Sequence, residues 1–340
     1  MKFVPVVDQN QKPLMPTKPS RARRWIKEGK ATPFWKCGVF CVRLNVDPSA
    51  REYQEVAVGI DPGSKREAFT VKSAAHTFLN IQTSTPYWVK DAMNTRRVMR
   101  FSRRAKTPCR QPRWNRTSGL SKGNLPPSTL ARWQWKLRIS KWLAKMFPIS
   151  CFVIEDIKAH TYGGRKWNAS FSPLQQGKRW LYSRLAKIAK VDLKQGWETK
   201  ALRGLFGLKK SANKLAEIFD SHCVDSWVLS NSSVRGHRAP DNKAILFIEP
   251  LRFHRRQLHA ICPGEGGLRR AYGGTRSMSL KRGSIVNHAK HGVCYIGGTM
   301  LGKVSLHSLA SGKRVTQAAK LDEIRFLTFN SWRLHNETLP

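Results

Sequence analysis

The sequence predicts an α/β protein, and three observations carry this prediction. Two short apolar strands each end in a carboxylate: residues 56–60 lead into Asp61, and residues 149–154 lead into Glu155 and Asp156. Segments with helical periodicity lie between and after these strands, and short β-like runs rich in Gly and Ser follow beyond about residue 231. β-Branched runs bounded by turn residues are typical of strands. A sheet carrying helices is therefore expected first, and a smaller β-rich part last.

The N-terminal residues are predicted to form one more strand and one helix. Residues 3–7 read as a strand, and a short helix carries Arg21, Arg23 and Arg24 before Gly29 ends it. Three strands follow between residues 56 and 85. The first ends at Asp61, the second covers residues 68–71, and the third covers residues 77–82. Tight turns between short consecutive strands indicate an antiparallel meander.

The charge balance predicts a polyanionic partner. The chain of 340 residues has 62 Lys and Arg against 21 Asp and Glu, a formal net charge of +41, together with 12 Trp and 15 Phe. A folded chain with this charge repels itself, and a nucleic acid would relieve the repulsion. A membrane surface is the weaker alternative. The sequence has no apolar run long enough to cross a bilayer and no signal peptide.

Cysteine usage fits a reducing compartment, so a cytoplasmic location is expected. The seven cysteines are odd in number and scattered. Cys37 and Cys41 lack a second pair at zinc-like spacing and are interpreted as packing residues. His288, His291 and Cys294 only hint at zinc, because no fourth ligand is evident.

One tract is unusually basic. Between Asp91 and Glu155 there is no acidic residue, whereas 15 residues are Lys or Arg. A helix over this tract would place five arginines along one side: Arg96, Arg97, Arg100, Arg103 and Arg104. A basic, aromatic segment with Arg110, Arg113, Trp114 and Arg116 follows. Arginine makes bidentate phosphate contacts, so we expect this tract to bind nucleic acid, and structured RNA is a good candidate.

Further helices are expected at residues 128–146, 176–190 and 213–229, and a strand at residues 191–196. Ser128 is the expected N-cap of the first, whose buried stripe is supplied by Trp133, Leu137, Ile139, Trp142, Leu143 and Met146. In the last helix, His222 and Asp225 are three residues apart and share a face, whereas Asp220 projects elsewhere.

Carboxylates at distant positions of the chain indicate phosphodiester chemistry. Asp61 and Asp225, with one carboxylate of the Glu155-Asp156 pair and with His222 nearby, would provide the oxygen ligands that Mg²⁺ prefers. Two such ions can activate a water and stabilise a leaving oxygen. The strand period of two places Glu155 and Asp156 on opposite faces, so only one of them can enter a shared site.

These residues together resemble the IscB/IsrB family of transposon-associated RNA-guided nucleases, which are related to type II CRISPR effectors. The matching segments cover nearly the whole chain: residues 13–16 and 21–24 (PLMP domain), 59–65 (first RuvC motif), 96–104 (bridge helix), 154–155 (second RuvC motif), 222–225 (third RuvC motif), and 255–259 and 272–276 (C-terminal domain). The resemblance selects Glu155 over Asp156. It implies a catalytic and metal-binding set of Asp61, Glu155, His222 and Asp225.

One departure from IscB indicates IsrB, the form without an HNH nuclease. Only 66 residues separate Glu155 from His222, and His160 is the sole histidine among them. The resemblance therefore implies an RNA-guided nickase of the displaced DNA strand, with two Mg²⁺ ions that Mn²⁺ can replace. Its partners would be a large guide RNA, with one protein per RNA, and target double-stranded DNA read beside a short flanking motif.

The resemblance also implies a domain plan and a set of contacts. The plan is an RNase H-like (RuvC) mixed-sheet core interrupted by a bridge helix: residues 1–52 (PLMP domain), 53–90 (RuvC part I), 91–116 (bridge helix and basic segment), 117–232 (RuvC parts II and III) and 233–340 (β-rich, partial-barrel domain that reads the flanking motif). The predicted nucleic-acid contacts are Arg21, Arg23, Arg24, Arg96, Arg97, Arg100, Arg103, Arg104, Arg110, Arg113, Arg116, Arg255, Arg256 and Arg276.

Two other functions remain open. An RNA-independent junction resolvase or transposase could use the same RNase H-like core, although the basic tract and the C-terminal β-rich part speak against it. A catalytically inactive RNA- or DNA-binding protein is the other alternative. The presence of all four proposed site residues argues against it.

Overall fold

The computed structural model describes residues 2–49, 51, 53–106, 125–157, 172–251, 261–262, 267–268 and 276–334. The chain forms two compact units. The first contains Met1–Thr32 and Arg43–Ile245, and the second contains Pro33–Val42 and Leu246–Pro340. The five-part domain plan stays a prediction.

Helices of the described residues belong to the first unit. Their bounds are α1 Pro19–Lys27, α2 Trp88–Lys106, α3 Pro127–Leu143, α4 Pro173–Leu185, α5 Gly196–Leu205 and α6 Val224–Val234. A single π-helical turn, Phe219–Cys223, leads directly into α6.

Strands occur in both units. Up to residue 194 they are β1 Val4–Val7, β2 Pro13–Thr17, β3 Ala31–Lys36, β4 Val39–Leu44, β5 Val56–Asp61, β6 Arg66–Ser73, β7 Thr77–Ser84, β8 Cys151–Glu155 and β9 Lys190–Lys194. Beyond residue 244 they are β10 Ile245–Pro250, β11 Ile261–Cys262, β12 Gly267–Leu268, β13 Arg276–Ser277, β14 Leu280–Lys281, β15 Ser284–His288, β16 Gly292–Met300, β17 Lys303–Ser308, β18 Arg314–Ala319, β19 Ile324–Phe329 and β20 Trp332–Leu334.

Within the first unit, strands β1 and β2 pair antiparallel, and the main sheet has the strand order β7-β6-β5-β8-β9. Strands β5, β6 and β7 form the predicted antiparallel meander. Strand β8 pairs in parallel with β5, and β9 pairs in parallel with β8. Three antiparallel strands continued by two parallel ones fit an RNase H-like core, as predicted.

Strand β5 is buried on both faces, which explains its run of small and β-branched residues. On one face, helix α6 lies directly against the strand at Gly59. A Cβ built on Gly59 would lie 1.8 Å from the backbone oxygen of Ser226, so only glycine permits this approach. The contact carries α6 and the preceding turn to the end of the strand where Asp61 lies.

Helix α3 packs on the opposite face of the sheet. The indole nitrogen of Trp135 donates a hydrogen bond to Thr83 Oγ1 at 3.2 Å, and Lys136 pairs with the fully buried Glu67 of β6. Removing one partner of such a buried pair costs about 3–5 kcal/mol, because a charge is left without compensation. The predicted stripe of this helix is confirmed, since all six of its residues are buried.

Two predictions about helix boundaries are wrong. Ser128 does not cap α3, because the helix begins one residue earlier at Pro127, whose fixed φ suits a first turn. The expected helix at residues 213–229 begins only with the π turn. The side-chain oxygen of Asn213 accepts a hydrogen bond from the backbone N–H of Leu215, and this local turn competes with helix formation. Ile218 is extended, with φ −128°.

Helix α5 was not predicted from the sequence. Its start is stabilised by Glu198, whose carboxylate accepts a hydrogen bond of 2.6 Å from the backbone N–H of Gln195.

The second unit contains the predicted basic β-rich part. Five strands in the order β18-β17-β16-β15-β19 form an antiparallel sheet, and strand β10 pairs antiparallel with β20. The core of this sheet consists of Val286, Cys294, Ile296, Val304, Leu306 and Ala319. Within the described parts of the chain, no helix is long and apolar enough to cross a membrane.

Candidate active site: a carboxylate cluster in a basic cleft

Asp61 ends strand β5 and is buried, at 5% exposure. Its Oδ2 lies 3.0 Å from Nδ1 of His222, and Nε2 of His222 lies 2.9 Å from the backbone oxygen of Lys214. A backbone carbonyl only accepts, so Nε2 must carry a proton. His222 is thus held between the Asp61 carboxylate and a backbone carbonyl, and it orients Asp61.

Glu155 ends strand β8, beside Asp61. The parallel register pairs Ile154 with Ile60, which brings the two carboxylates to the same edge of the sheet. Burial, the negative charges of Asp61 and Asp225, and a hydrogen bond with Asp61 raise the pKa of Glu155 to about 7. The ammonium of Lys210 acts in the opposite direction. Three carboxylates therefore interact at this position.

Asp156 points to the other face of the sheet, as the strand period requires. It forms an ion pair of 2.6 Å with Lys178 and accepts a hydrogen bond of 2.9 Å from the hydroxyl of Tyr182. Although burial acts to raise it, these two partners hold the pKa of Asp156 below its usual range. The structure thus separates Asp156 from the cluster that contains Glu155.

Asp225 lies in the first turn of α6 and is buried, at 1% exposure. Its two carboxylate oxygens are each engaged by a cation: Oδ1 by the guanidinium of Arg203 in α5, and Oδ2 by the ammonium of Lys210. The sequence analysis did not identify these two basic residues. Their spacing from Asp225 along the chain carries no periodic signal, and the pairs depend on helix α5.

A cleft of about 900 Å³ opens over the cluster. Its lining includes Asp61, Glu155 and His222. Seven basic residues also line it: Lys65, Arg66, Arg132, Lys136, Lys178, Lys210 and Lys214. A negative floor within positive walls can hold a cation at the floor and a polyanion between the walls.

The donor set of the cluster fits divalent metal ions of the Mg²⁺ type. Carboxylate oxygens are the ligands that hard cations prefer. Burial and, after it, the neighbouring carboxylates Asp61 and Asp225 raise the pKa of Glu155. In the part of the chain that is described, no three His, Cys, Asp or Glu side chains form a ready metal cage. In the same structure His222 contacts Asp61, and two cations engage Asp225.

The other predicted contacts lie on exposed surfaces or outside the described residues. Arg21, Arg23 and Arg24 of α1 are exposed, as is Arg276 of β13. All five arginines of α2 are exposed: Arg96, Arg97, Arg100, Arg103 and Arg104. The remaining predicted contacts lie outside the described residues: Arg110, Arg113, Arg116, Arg255 and Arg256.

The structure also locates the residues that were considered from the sequence but not chosen as site residues. Asp220 does not line the cleft. Cys41 is buried, and Cys37 is partly buried. Nε2 of His288 lies 3.3 Å from a carboxylate oxygen of Glu323.

Comparison with known proteins finds similarity over part of this chain. The model of a protein family described as "RRXRR protein" matches residues 4–166 of this chain. No curated protein matches it. Among solved structures, T. thermophilus RuvC in complex with Holliday junction substrate is similar at 13% identity and a TM-score of 0.29, covering 52% of this chain and 90% of that chain. The strand order fits an RNase H-like core, and two of the carboxylates line a basic cleft.

The pKa of Glu155 predicts a specific pH dependence of stability. The folded pKa of about 7 exceeds the ordinary value of 4.5, so the unfolded chain releases this proton at lower pH. Metal-free protein should therefore lose stability as pH rises from 4.5 through 7. After allowance for partial exposure, a difference of about 1 kcal/mol, or about 2–4 °C in Tm, is expected at pH 8.

Melting curves in a chelator test this expectation. Glu155→Gln should melt above wild type at pH 8, and the gap should shrink towards pH 5. Glu55→Gln, at an exposed position, is the control and should show no such trend. An equal gap at both pH values would show that Glu155 is not perturbed.

Proposed function

We propose that this protein is a RuvC-type endonuclease that nicks one DNA strand under the direction of a guide RNA, in the manner of IsrB. The observation that carries the proposal is that Asp61, Glu155 and His222 line one basic cleft, while the charges of Asp61 and Asp225 both act on Glu155. The match of the RRXRR family model to residues 4–166 supports the same nuclease family.

Asp61, Glu155 and Asp225 would hold two Mg²⁺ ions, which Mn²⁺ could replace. When bound, the ions would supply an activated water and stabilise the leaving oxygen of the phosphodiester. Neither ring nitrogen of His222 is free to ligate as placed, since one contacts Asp61 and the other a backbone carbonyl. We assign His222 the roles of orienting Asp61 and holding a proton beside the reacting phosphate.

The basic residues that line the cleft would bind the substrate strand. Lys65 lies on the turn after β5, Arg66 begins β6, and Lys214 lies on the segment that also fixes His222. These side chains can contact the phosphates on either side of the scissile bond and so set its position over the carboxylates. Base pairing with a guide RNA, rather than these side chains, would select the sequence.

Helix α2 is the proposed site of guide RNA contact. Its five arginines are exposed together with Val98, at 67% exposure, and Phe101, at 76%. Val98 and Phe101 therefore lie on a part of the helix that the described residues leave exposed, beside the arginines. Arginines along one side match a phosphate backbone, and the apolar side chains can pack on sugars or bases.

Substitution of the cluster should separate catalysis from binding. Asp61→Asn, Glu155→Gln and Asp225→Asn should each reduce nicking by about a thousandfold or more, because several kcal/mol of metal-dependent stabilisation are lost. Guide RNA binding should persist in all three. Asp220→Asn, which changes an acid outside the cleft, is the matched control and should cut at the wild-type rate.

The same assay distinguishes the alternatives. Purified protein should carry RNA, and removal of that RNA should abolish cutting. Cutting of DNA junctions by RNA-free protein would instead indicate an RNA-independent resolvase. Wild-type cutting by Asp61→Asn would contradict the proposed site.

Replacing Arg96, Arg100 and Arg103 with Ala should weaken guide RNA binding and its dependence on salt. Each lost phosphate contact lowers the slope of log K against log salt by about 0.7 to 0.9, so a change of about 2 is expected. Filter binding at several salt concentrations measures the slope. Replacing the exposed Lys187, Lys190 and Lys200 removes the same charge elsewhere; an equal change there would point to net charge instead of helix α2.

A further inference from the structure

The cations on Asp225 occupy the position that the proposed metal chemistry needs. Both carboxylate oxygens already have a positively charged donor, Arg203 on one and Lys210 on the other. Asp225 is buried, so this charge is compensated by these two side chains and not by solvent. Metal binding at Asp225 must therefore compete with two resident cations.

Lys210 also interacts electrostatically with Glu155. Its ammonium acts on Glu155 against the effect of the neighbouring carboxylates, so one charge interacts with both Asp225 and Glu155. A divalent ion bridging these carboxylates would lie within a few ångströms of that ammonium, where like charges repel strongly in a partly buried site. The Lys210 ammonium and a divalent ion cannot both occupy the cluster without a loss of metal-binding free energy.

Lys210 is also the cation that can leave. It follows α5 on a segment outside any helix or strand, its side chain is 28% exposed, and it lines the cleft. Arg203 is held within α5, and its side chain is 19% exposed. A lysine released from Asp225 can reorient into the cleft, where its ammonium would bind the phosphates of a bound strand.

We propose that Lys210, supported by Arg203, is a resident countercation of Asp225 that competes with divalent metal and is displaced when metal binds. This inference rests on the proposed function. The chain thereby neutralises its carboxylates in the absence of metal, and the displaced ammonium becomes a phosphate contact when metal and nucleic acid are both present. Lys210 is a positioning residue in this scheme and takes no part in bond cleavage.

Metal affinity, read without reference to nuclease activity, tests this. Fe²⁺ with ascorbate and peroxide cuts a polypeptide beside a bound ion, and mass spectrometry of the full-length protein locates the cuts even when RNA is present. Cuts near Asp61 and Glu155 are expected. The yield of these cuts against Fe²⁺ concentration gives a half-saturating concentration for each variant. Lys210→Gln should lower that concentration by about tenfold, because one nearby positive charge is lost.

Three controls define the outcome. Lys209→Gln alters the exposed neighbouring lysine and should match wild type, and Lys210→Arg, which keeps the charge, should stay near wild type. Thermal melts confirm that each variant is folded. If Lys210→Gln does not fold, Lys210→Met is measured in the same way.

The failure of this inference differs from the failure of the proposed function. Equal or higher half-saturating concentrations in Lys210→Gln, with cuts still near Asp61, would overturn the countercation role and leave the metal site intact. An absence of cuts near Asp61 in every variant would overturn the proposed metal site itself.

Discussion

The close approach of helix α6 to strand β5 is the constraint on which the site depends. Gly59 permits it, because any Cβ there would collide with the backbone of Ser226. The π turn before α6 then brings His222 onto Asp61, two residues along the strand from Gly59. One glycine therefore fixes the distance between elements that are separated by more than 160 residues of sequence.

Electrostatic frustration is the second property of the site. The sheet and helix α6 gather three carboxylates in a partly buried place, where burial and the neighbouring charges raise the pKa of Glu155. Lys210 and Arg203 compensate the charge of Asp225, and His222 contacts Asp61. Metal binding as proposed would have to compete with these contacts.

The sequence predicts much of this arrangement because strand ends are local features. The antiparallel meander and the strand that ends in Glu155 follow from apolar runs bounded by turn residues, and the period of two places Glu155 and Asp156 on opposite faces. The choice between them required the family resemblance, because periodicity does not say which face carries the site. The two cations on Asp225 were missed because Arg203 belongs to the unpredicted helix α5 and Lys210 follows that helix on a segment without a periodic pattern. The helix expected from residue 213 was mispredicted because the turn at Asn213 depends on one side-chain hydrogen bond.

Anomalous diffraction from crystals soaked in Mn²⁺ would show whether Asp61, Glu155 and Asp225 share divalent ions. Manganese peaks are expected in the cleft, with an ion at a bonding distance of about 2.2 Å from an oxygen of Asp61 and a second carboxylate of the cluster also bound. Manganese found only on nucleic acid or elsewhere on the surface, with the cleft carboxylates uncoordinated, would contradict it.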